Sequence, residues 1–179
     1  MKWNVVITIQ EHGFKHAREF LREFGPVYKT GFFNVLVMQV DNVEQFLEDV
    51  KTAMSINPEI LDAIARIMPV TQTIVYQSPT EFEEKAKQVV VPWIPTLAGS
   101  RFHGRMHRRG FKGRLSSQGE EKFLDIYIIS SLEQQGKSPV KIDFDDPDYI
   151  LAVETVGQTA GLSLWTREQL QQYPFLKLD

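Results

Sequence analysis

The sequence predicts an α+β protein of two small domains, residues 1–77 and 78–179, and three observations carry that prediction. The first 76 residues alternate β-rich runs with helical periodicity in the order β-α-β-β-α-β. Gln77-Ser78-Pro79 then breaks the pattern with a cluster of turn formers. A new helix-start signal follows, and a second set of strands is arranged around one long helix.

In the first domain, Lys2 to Gln10 holds Val5, Val6, Ile7 and Ile9 and reads as a strand. Phe14, Ala17, Phe20, Leu21 and Phe24 recur at helical spacing until Gly25-Pro26 stops the helix. Val27 to Thr30 and Phe32 to Val40 are two β-rich runs separated by Gly31, as expected of antiparallel neighbours. Asn42 with Gln45 forms a capping box for a helix whose apolar face is Val43, Phe46, Leu47, Val50 and Met54. Pro58 opens a further helical turn through Ala65, and Ile67 to Tyr76 reads as the last strand. This is the element order of the ferredoxin-like fold.

In the second domain, Thr80 with Glu83 reads as a capping box for a helix that ends before Pro92. A strand is expected from about Ser100 to Arg109. Ser117 with Glu120 reads as the start of a long helix, closed by Gly136, with Glu120, Phe123, Leu124, Tyr127, Ile128, Ser131 and Leu132 on one face. Val140 to Phe144, Tyr149 to Val156 and Leu162 to Trp165 read as strands.

Composition narrows the function classes. With 179 residues, 42% of them hydrophobic, the chain can build a core. No run approaches the ~20 apolar residues of a membrane helix, and Met1-Lys2-Trp3-Asn4 leads directly into a strand, so a soluble cytoplasmic protein is expected. The absence of cysteine removes disulfides, thiolate metal sites and sulfur nucleophiles. Net charge is −3, yet residues 101 to 114 hold six Arg or Lys and no acid, which leaves 14 basic against 23 acidic residues elsewhere. A local cationic site on an acidic body fits a polyanion ligand while discouraging indiscriminate binding.

Within that segment, strand alternation is expected to place Arg101, His103, Arg105, His107 and Arg109 on one face, and Phe102, Gly104 and Met106 on the core face. Arg108, Lys112 and Arg114 extend the charge into a loop flanked by Gly110 and Gly113, where exposed backbone can approach phosphates. Ser116 and Ser117 open a helix whose N-terminal amides favour an anion at the same place. These nine positions, Arg101, His103, Arg105, His107, Arg108, Arg109, Lys112, Arg114 and Ser116, form the candidate RNA-binding set. The bland alternative is a solvated strand face, which ordinarily mixes charge signs. Arginine predominates five to one, which suits bidentate phosphate contacts and stacking on unpaired bases.

Other constellations weigh less. His103 and His107 stand roughly 13 Å apart on a strand and cannot share a zinc ion. Asp143, Asp145, Asp146 and Asp148 could hold magnesium in an RNA-processing enzyme, but Asp145-Asp146-Pro147-Asp148 between two predicted strands reads better as a turn. Trp3, Trp93 and Trp165 lie in apolar settings and read as core. A protein-interaction module with a basic face is a third reading.

With these residues in place, Thr80 to Trp165 resembles a THUMP domain, the RNA-binding module of tRNA-modifying enzymes. The resemblance lies in the Arg-rich strand from Arg101 to Gly110, in the helix start at Ser117 to Glu121, and in the run Val140 to Glu154 with its Asp-Pro-Asp turn. It implies a mixed central sheet, a turn role for the acidic cluster, and binding at the acceptor end of tRNA near its unpaired 3′ terminus. The chain ends soon after Gly161-Leu162-Ser163-Leu164, and in this it is most similar to the stand-alone adaptors that help an acetyltransferase form N4-acetylcytidine. That resemblance implies a tRNA partner and a separate acetyltransferase, with no catalytic residues, metal or cofactor in this chain, so a protein that is not an enzyme is expected.

Overall fold

The computed structural model describes residues 2–178, which form a mixed α/β structure with two sheets. The chain divides into two compact units: one takes in the chain up to Val70 together with Gln172–Lys177, and the other runs Thr71–Gln171. Among the described residues no helix is long and apolar enough to cross a membrane.

The first unit contains β1 (Val5–Ile9), α1 (Phe14–Leu21), β2 (Val27–Lys29), β3 (Val35–Met38), α2 (Val43–Ile56), a 3-10 turn at Pro58–Asp62 and β4 (Ile64–Pro69). Its sheet has the order β2-β3-β1-β4 with every neighbouring pair antiparallel. Val5, Val6 and Ile7 are all buried, so β1 is covered on both faces, which is why its sequence is a continuous apolar run rather than an alternation. Asn42 caps α2, its side chain accepting from the Gln45 amide at 3.0 Å as the sequence suggests. The residues after Pro58 form a 3-10 turn and then enter β4 at Ile64, earlier than expected. In the same unit Tyr173 donates from its hydroxyl to Glu48 at 2.5 Å, and that bond to an anion pushes the phenol up to about 12.

The expected strand Ile67 to Tyr76 is two strands in two sheets. Pro69 ends β4, the Val70 amide donates to Asn4, and the Thr71 amide donates to Leu162, so the chain changes partners within one residue. The second piece, β5 (Gln72–Val75), pairs antiparallel with the last strand of the second sheet. A proline cannot donate to a ladder, which makes Pro69 a natural place to leave one sheet.

The second unit continues with α3 (Pro79–Val90), a short turn at Val91–Trp93, α4 (Ile94–Leu97), β6 (Arg101–His107), α5 (Ser117–Gln134), β7 (Lys141–Ile142), β8 (Tyr149–Val156), β9 (Thr159–Thr166) and α6 (Arg167–Gln172). Its sheet has the order β5-β9-β8-β6-β7 and is mixed: β6 runs parallel to β7 and β8, while β9 is antiparallel to β8 and β5. Phe82, Phe102, Leu124, Ile128, Leu151 and Leu162 lie at the centre of its core. Both helix starts fall slightly earlier than the sequence suggested. Ser78, with Pro79 in the first turn, accepts from Glu81 at 3.1 Å, and Ser116 accepts from Gly119 at 3.1 Å. The run Val140 to Phe144 shrinks to the two residues of β7, because Asp143 begins a turn.

Gly13 packs where no side chain fits. A Cβ there would lie 2.6 Å from the Ala63 backbone, whereas a Cβ on Gly31 meets nothing within 4 Å. Gly13→Ala is therefore expected to lower stability by roughly 2 kcal/mol through overpacking, read from urea unfolding, while Gly31→Ala leaves the midpoint close to that of the parent. Equal midpoints for the two variants would contradict this packing.

Candidate nucleic-acid interface

The basic segment leaves β6, turns through 108–115 and enters α5. The structure sorts its nine candidate residues into three groups.

The first group is neutralised within the protein. Arg101 pairs with Asp146 at 3.4 Å and Asp148 at 3.3 Å, with Asp143 at 3.8 Å. Arg109 reaches Glu154 at 3.3 Å, and His107 reaches the same carboxylate at 3.5 Å. Glu154 is fully buried on β8. A buried carboxylate without its cation is strongly destabilising, so Arg109 acts as a core residue as much as a surface one. Its backbone is fixed as well: the Arg109 amide donates to Thr155 Oγ1 at 2.8 Å, and the Arg109 carbonyl accepts from Gly157.

The second group lies along β6 beside α5. His103 is buried, at 2% exposure, against the ring of Phe144. This corrects the expected alternation, in which His103 shared an open cationic face. The reason is that Asp143 to Asp148 folds back over the strand and carries Phe144 onto the imidazole. Gly104 faces α5, where a Cβ would lie 3.1 Å from Asp125 Oδ1. The Gly104 amide donates to that oxygen at 3.2 Å. Burial pushes the Asp125 carboxyl up to about 7, partly opposed by this hydrogen bond and assisted by Glu121. Burial likewise raises Glu121, offset by the nearby Arg105 charge and by a hydrogen bond with the Met106 backbone. Two carboxylates one helical turn apart on α5 thus stand over a strand edge that β7 covers only at Arg101 and Phe102.

The third group is the loop. Phe111 stacks on Tyr76 with ring centroids 5.0 Å apart, and Leu115 is buried, so both ends are anchored. Gly110 and Gly113 adopt φ of +96° and +77°, which turns the chain sharply between the anchors. Arg108 donates to the Gly110 carbonyl. Arg114 lies 4.7 Å from the Phe111 ring centroid and donates to the Gln77 carbonyl at 3.2 Å. Lys112, Arg114 and Ser116 are exposed, and they sit at the N-terminus of the 18-residue α5. Exposed cations and the positive end of a helix dipole converge here, an arrangement suited to phosphate.

The acidic cluster is engaged elsewhere. Asp143 Oδ1 accepts from the amides of Asp145 and Asp146 at 2.9 and 3.0 Å. Those bonds hold its carboxyl below the usual carboxylate range. Asp146 and Asp148 pair with Arg167 at 3.0 and 3.2 Å as well as with Arg101. These carboxylates build a turn and lock it to β6 and α6. Sequence reasoning missed this intramolecular role because Arg101 and Arg167 approach the turn only through the sheet pairing. Glu120, read from the sequence as part of the start of α5, is buried beside Glu83, and burial and that neighbour push its carboxyl up to about 7.

No protein-family model matches the sequence, and no curated protein matches it. Solved structures do share the fold. PH1313 from Pyrococcus horikoshii Ot3 is 14% identical, with a TM-score of 0.59 over 90% of this chain and 54% of its own length. TrmN from Thermus thermophilus is 16% identical, with a TM-score of 0.55 over 90% of this chain and 44% of its own. A 4-thiouridine synthetase, solved with RNA and bound ATP, is 12% identical, with a TM-score of 0.52 over 92% of this chain and 42% of its own. The chain spans about half the length of these proteins. Their likeness supports a THUMP-type fold. The same fold is also shared by a possible methylase from Clostridium difficile 630, which is 17% identical with a TM-score of 0.54, so with the synthetase the fold occurs in proteins named as enzymes, and this overturns the expectation that the chain is not an enzyme. That expectation is withdrawn.

The raised carboxyl of Asp125 sets a pH dependence. A carboxyl whose folded pKa exceeds its unfolded value binds its proton more tightly in the native state, so stability falls as pH rises from the ordinary value of 3.8 through about 7. Asn keeps an oxygen for the Gly104 amide but does not ionise. Asp125→Asn should therefore show a smaller decline in Tm than the parent between about pH 4.5 and 7.5, followed by circular dichroism. An unchanged decline would mean that Asp125 does not titrate in this range.

Proposed function

We propose that this chain binds RNA through the loop 108–116 and the start of α5, and that the RNA is tRNA presented at its acceptor end to a tRNA-modifying catalytic centre. The observation that carries the reading is the anchored loop that holds Lys112 and Arg114 exposed at the N-terminus of α5. A 4-thiouridine synthetase of the same fold has been solved as an RNA complex, which supports RNA as the ligand class. We read the first unit as a ferredoxin-like domain, supported by its order β-α-β-β-α-β and its antiparallel sheet β2-β3-β1-β4. The N4-acetylcytidine-forming acetyltransferase named by the resemblance is the partner enzyme to test.

Within this reading the candidate residues have unequal roles. Lys112, Arg114, Arg108 and Ser116 contact phosphates, Arg105 adds charge from β6, and Arg101, His107 and Arg109 hold the strand from which the loop departs. Reversing Arg109 would place a second carboxylate beside buried Glu154 and would test the fold rather than the site.

Lys112→Glu with Arg114→Glu is therefore the informative pair, and it should weaken tRNA binding by about tenfold or more in a gel-shift assay, with the salt slope falling by about 1 to 2. The control is Lys137→Glu with Lys141→Glu, which changes net charge equally. Lys137 lies just past the C-terminal end of α5 and Lys141 pairs with Arg101, at the far end of β6 from the loop. Equal losses from the two pairs would show that diffuse charge governs binding and would remove the loop as the site.

A further inference from the structure

A groove runs beside β6 that neither the phosphate contacts nor the fold requires. Its larger part, about 530 Å³, is lined by Arg105, Glu121, Asp125, Ile126, Ile142 and Phe144 among others. A recess of about 170 Å³ shares Arg105, Glu121 and Phe144 with it and adds His103 and Gly104. The larger volume lies within the range of small-molecule sites.

Three features of the groove point to one kind of ligand. Phe144 is 69% exposed although it is a large aromatic, and its turn is fixed by the Asp143 hydrogen bonds and the Arg101 and Arg167 ion pairs. A rigid, exposed ring beside a groove is a stacking surface. His103 lines the recess while only 2% exposed, and its Nε2 has no hydrogen-bond partner among the described residues. Its Nδ1 lies 3.2 Å from the Gly104 carbonyl, which can only accept. In the neutral imidazole that contact puts the proton on Nδ1 and leaves Nε2 a bare acceptor, an arrangement that costs free energy until a donor arrives. Arg105, finally, lines both parts of the groove and supplies a cation beside it.

We propose that this groove holds a single unpaired nucleobase bearing an exocyclic amine, with the Phe144 ring covering its apolar face and the amine donating to His103 Nε2. The inference rests on the RNA-binding reading and adds base discrimination to it. Phosphate contacts alone position an RNA without reading it. Cytosine and uracil have nearly the same shape but differ at C4, where one carries an amino donor and the other a carbonyl acceptor. Opposite a bare acceptor the amino group is satisfied and the carbonyl is not.

The test uses fluorescein-labelled tetracytidylate and tetrauridylate in fluorescence anisotropy with the full chain. Tetracytidylate is expected to bind about tenfold more tightly. His103→Phe keeps a ring against Phe144 but removes the acceptor, and should bring the two affinities within about twofold. Phe144→Ala should weaken tetracytidylate by about tenfold. Should His103→Phe fail to fold, the His103 15Nε2 resonance of the parent protein serves instead: it should shift on addition of tetracytidylate and not of tetrauridylate. Equal affinity for the two oligonucleotides in the parent, or a preference that survives His103→Phe, overturns the base site. If the parent binds intact tRNA while showing no base preference, only this inference fails. If it binds no tRNA, the RNA-binding reading fails with it.

Discussion

Glu154 sits in the middle of the second sheet with no solvent around it, and a carboxylate in that position has to be met by a cation and polar groups from the neighbouring segment. His107 and Arg109 meet it from the end of β6. Their engagement has two structural results. It fixes the register of the parallel β6–β8 pair at the point where His107 stands opposite Glu154. It also fixes the direction in which the chain leaves the sheet, because Arg109 is further tied to Thr155 and Gly157. The loop with Lys112 and Arg114 begins at that exit, so the placement of the exposed cations depends on the buried ion pair beneath them.

Most of the fold was legible in the sequence because its signals are local. The capping residue Asn42, the helical spacing in α5, the apolar run of β1 and the Asp-Pro-Asp turn each act over a few residues. What was not legible depended on partners distant in sequence. The run Ile67 to Tyr76 has continuous strand character, and only the competing hydrogen bonds of Asn4 and Leu162 show that it divides at Val70. The cationic segment was read correctly as unusual in composition. Its division into buried and presented charges depends on Glu154 and on Asp146 and Asp148, which lie 45 to 47 residues downstream of the arginines they pair with. Strand alternation placed His103 with the arginines, and the return of Phe144 over the strand is what buries it.

The α5 helix serves two purposes at its two kinds of surface. Its N-terminus meets the loop, while Glu121 and Asp125 stand over the edge of β6 that the two-residue β7 leaves uncovered. Edge amides of a central-type strand are ordinarily satisfied by another strand. Here a helix carboxylate satisfies the Gly104 amide, and β6 gains a groove on that side in place of a neighbour. Gly104 is the residue that permits this approach, since a Cβ would press on Asp125 Oδ1.

Hydrogen–deuterium exchange of the intact chain with and without tRNA locates the ligand without altering any residue, and so tests the central claim most directly. The account predicts that protection gained on adding tRNA centres on residues 108–119, the loop and the first turn of α5. Protection confined to the first unit, with exchange in 108–119 unchanged, would contradict it.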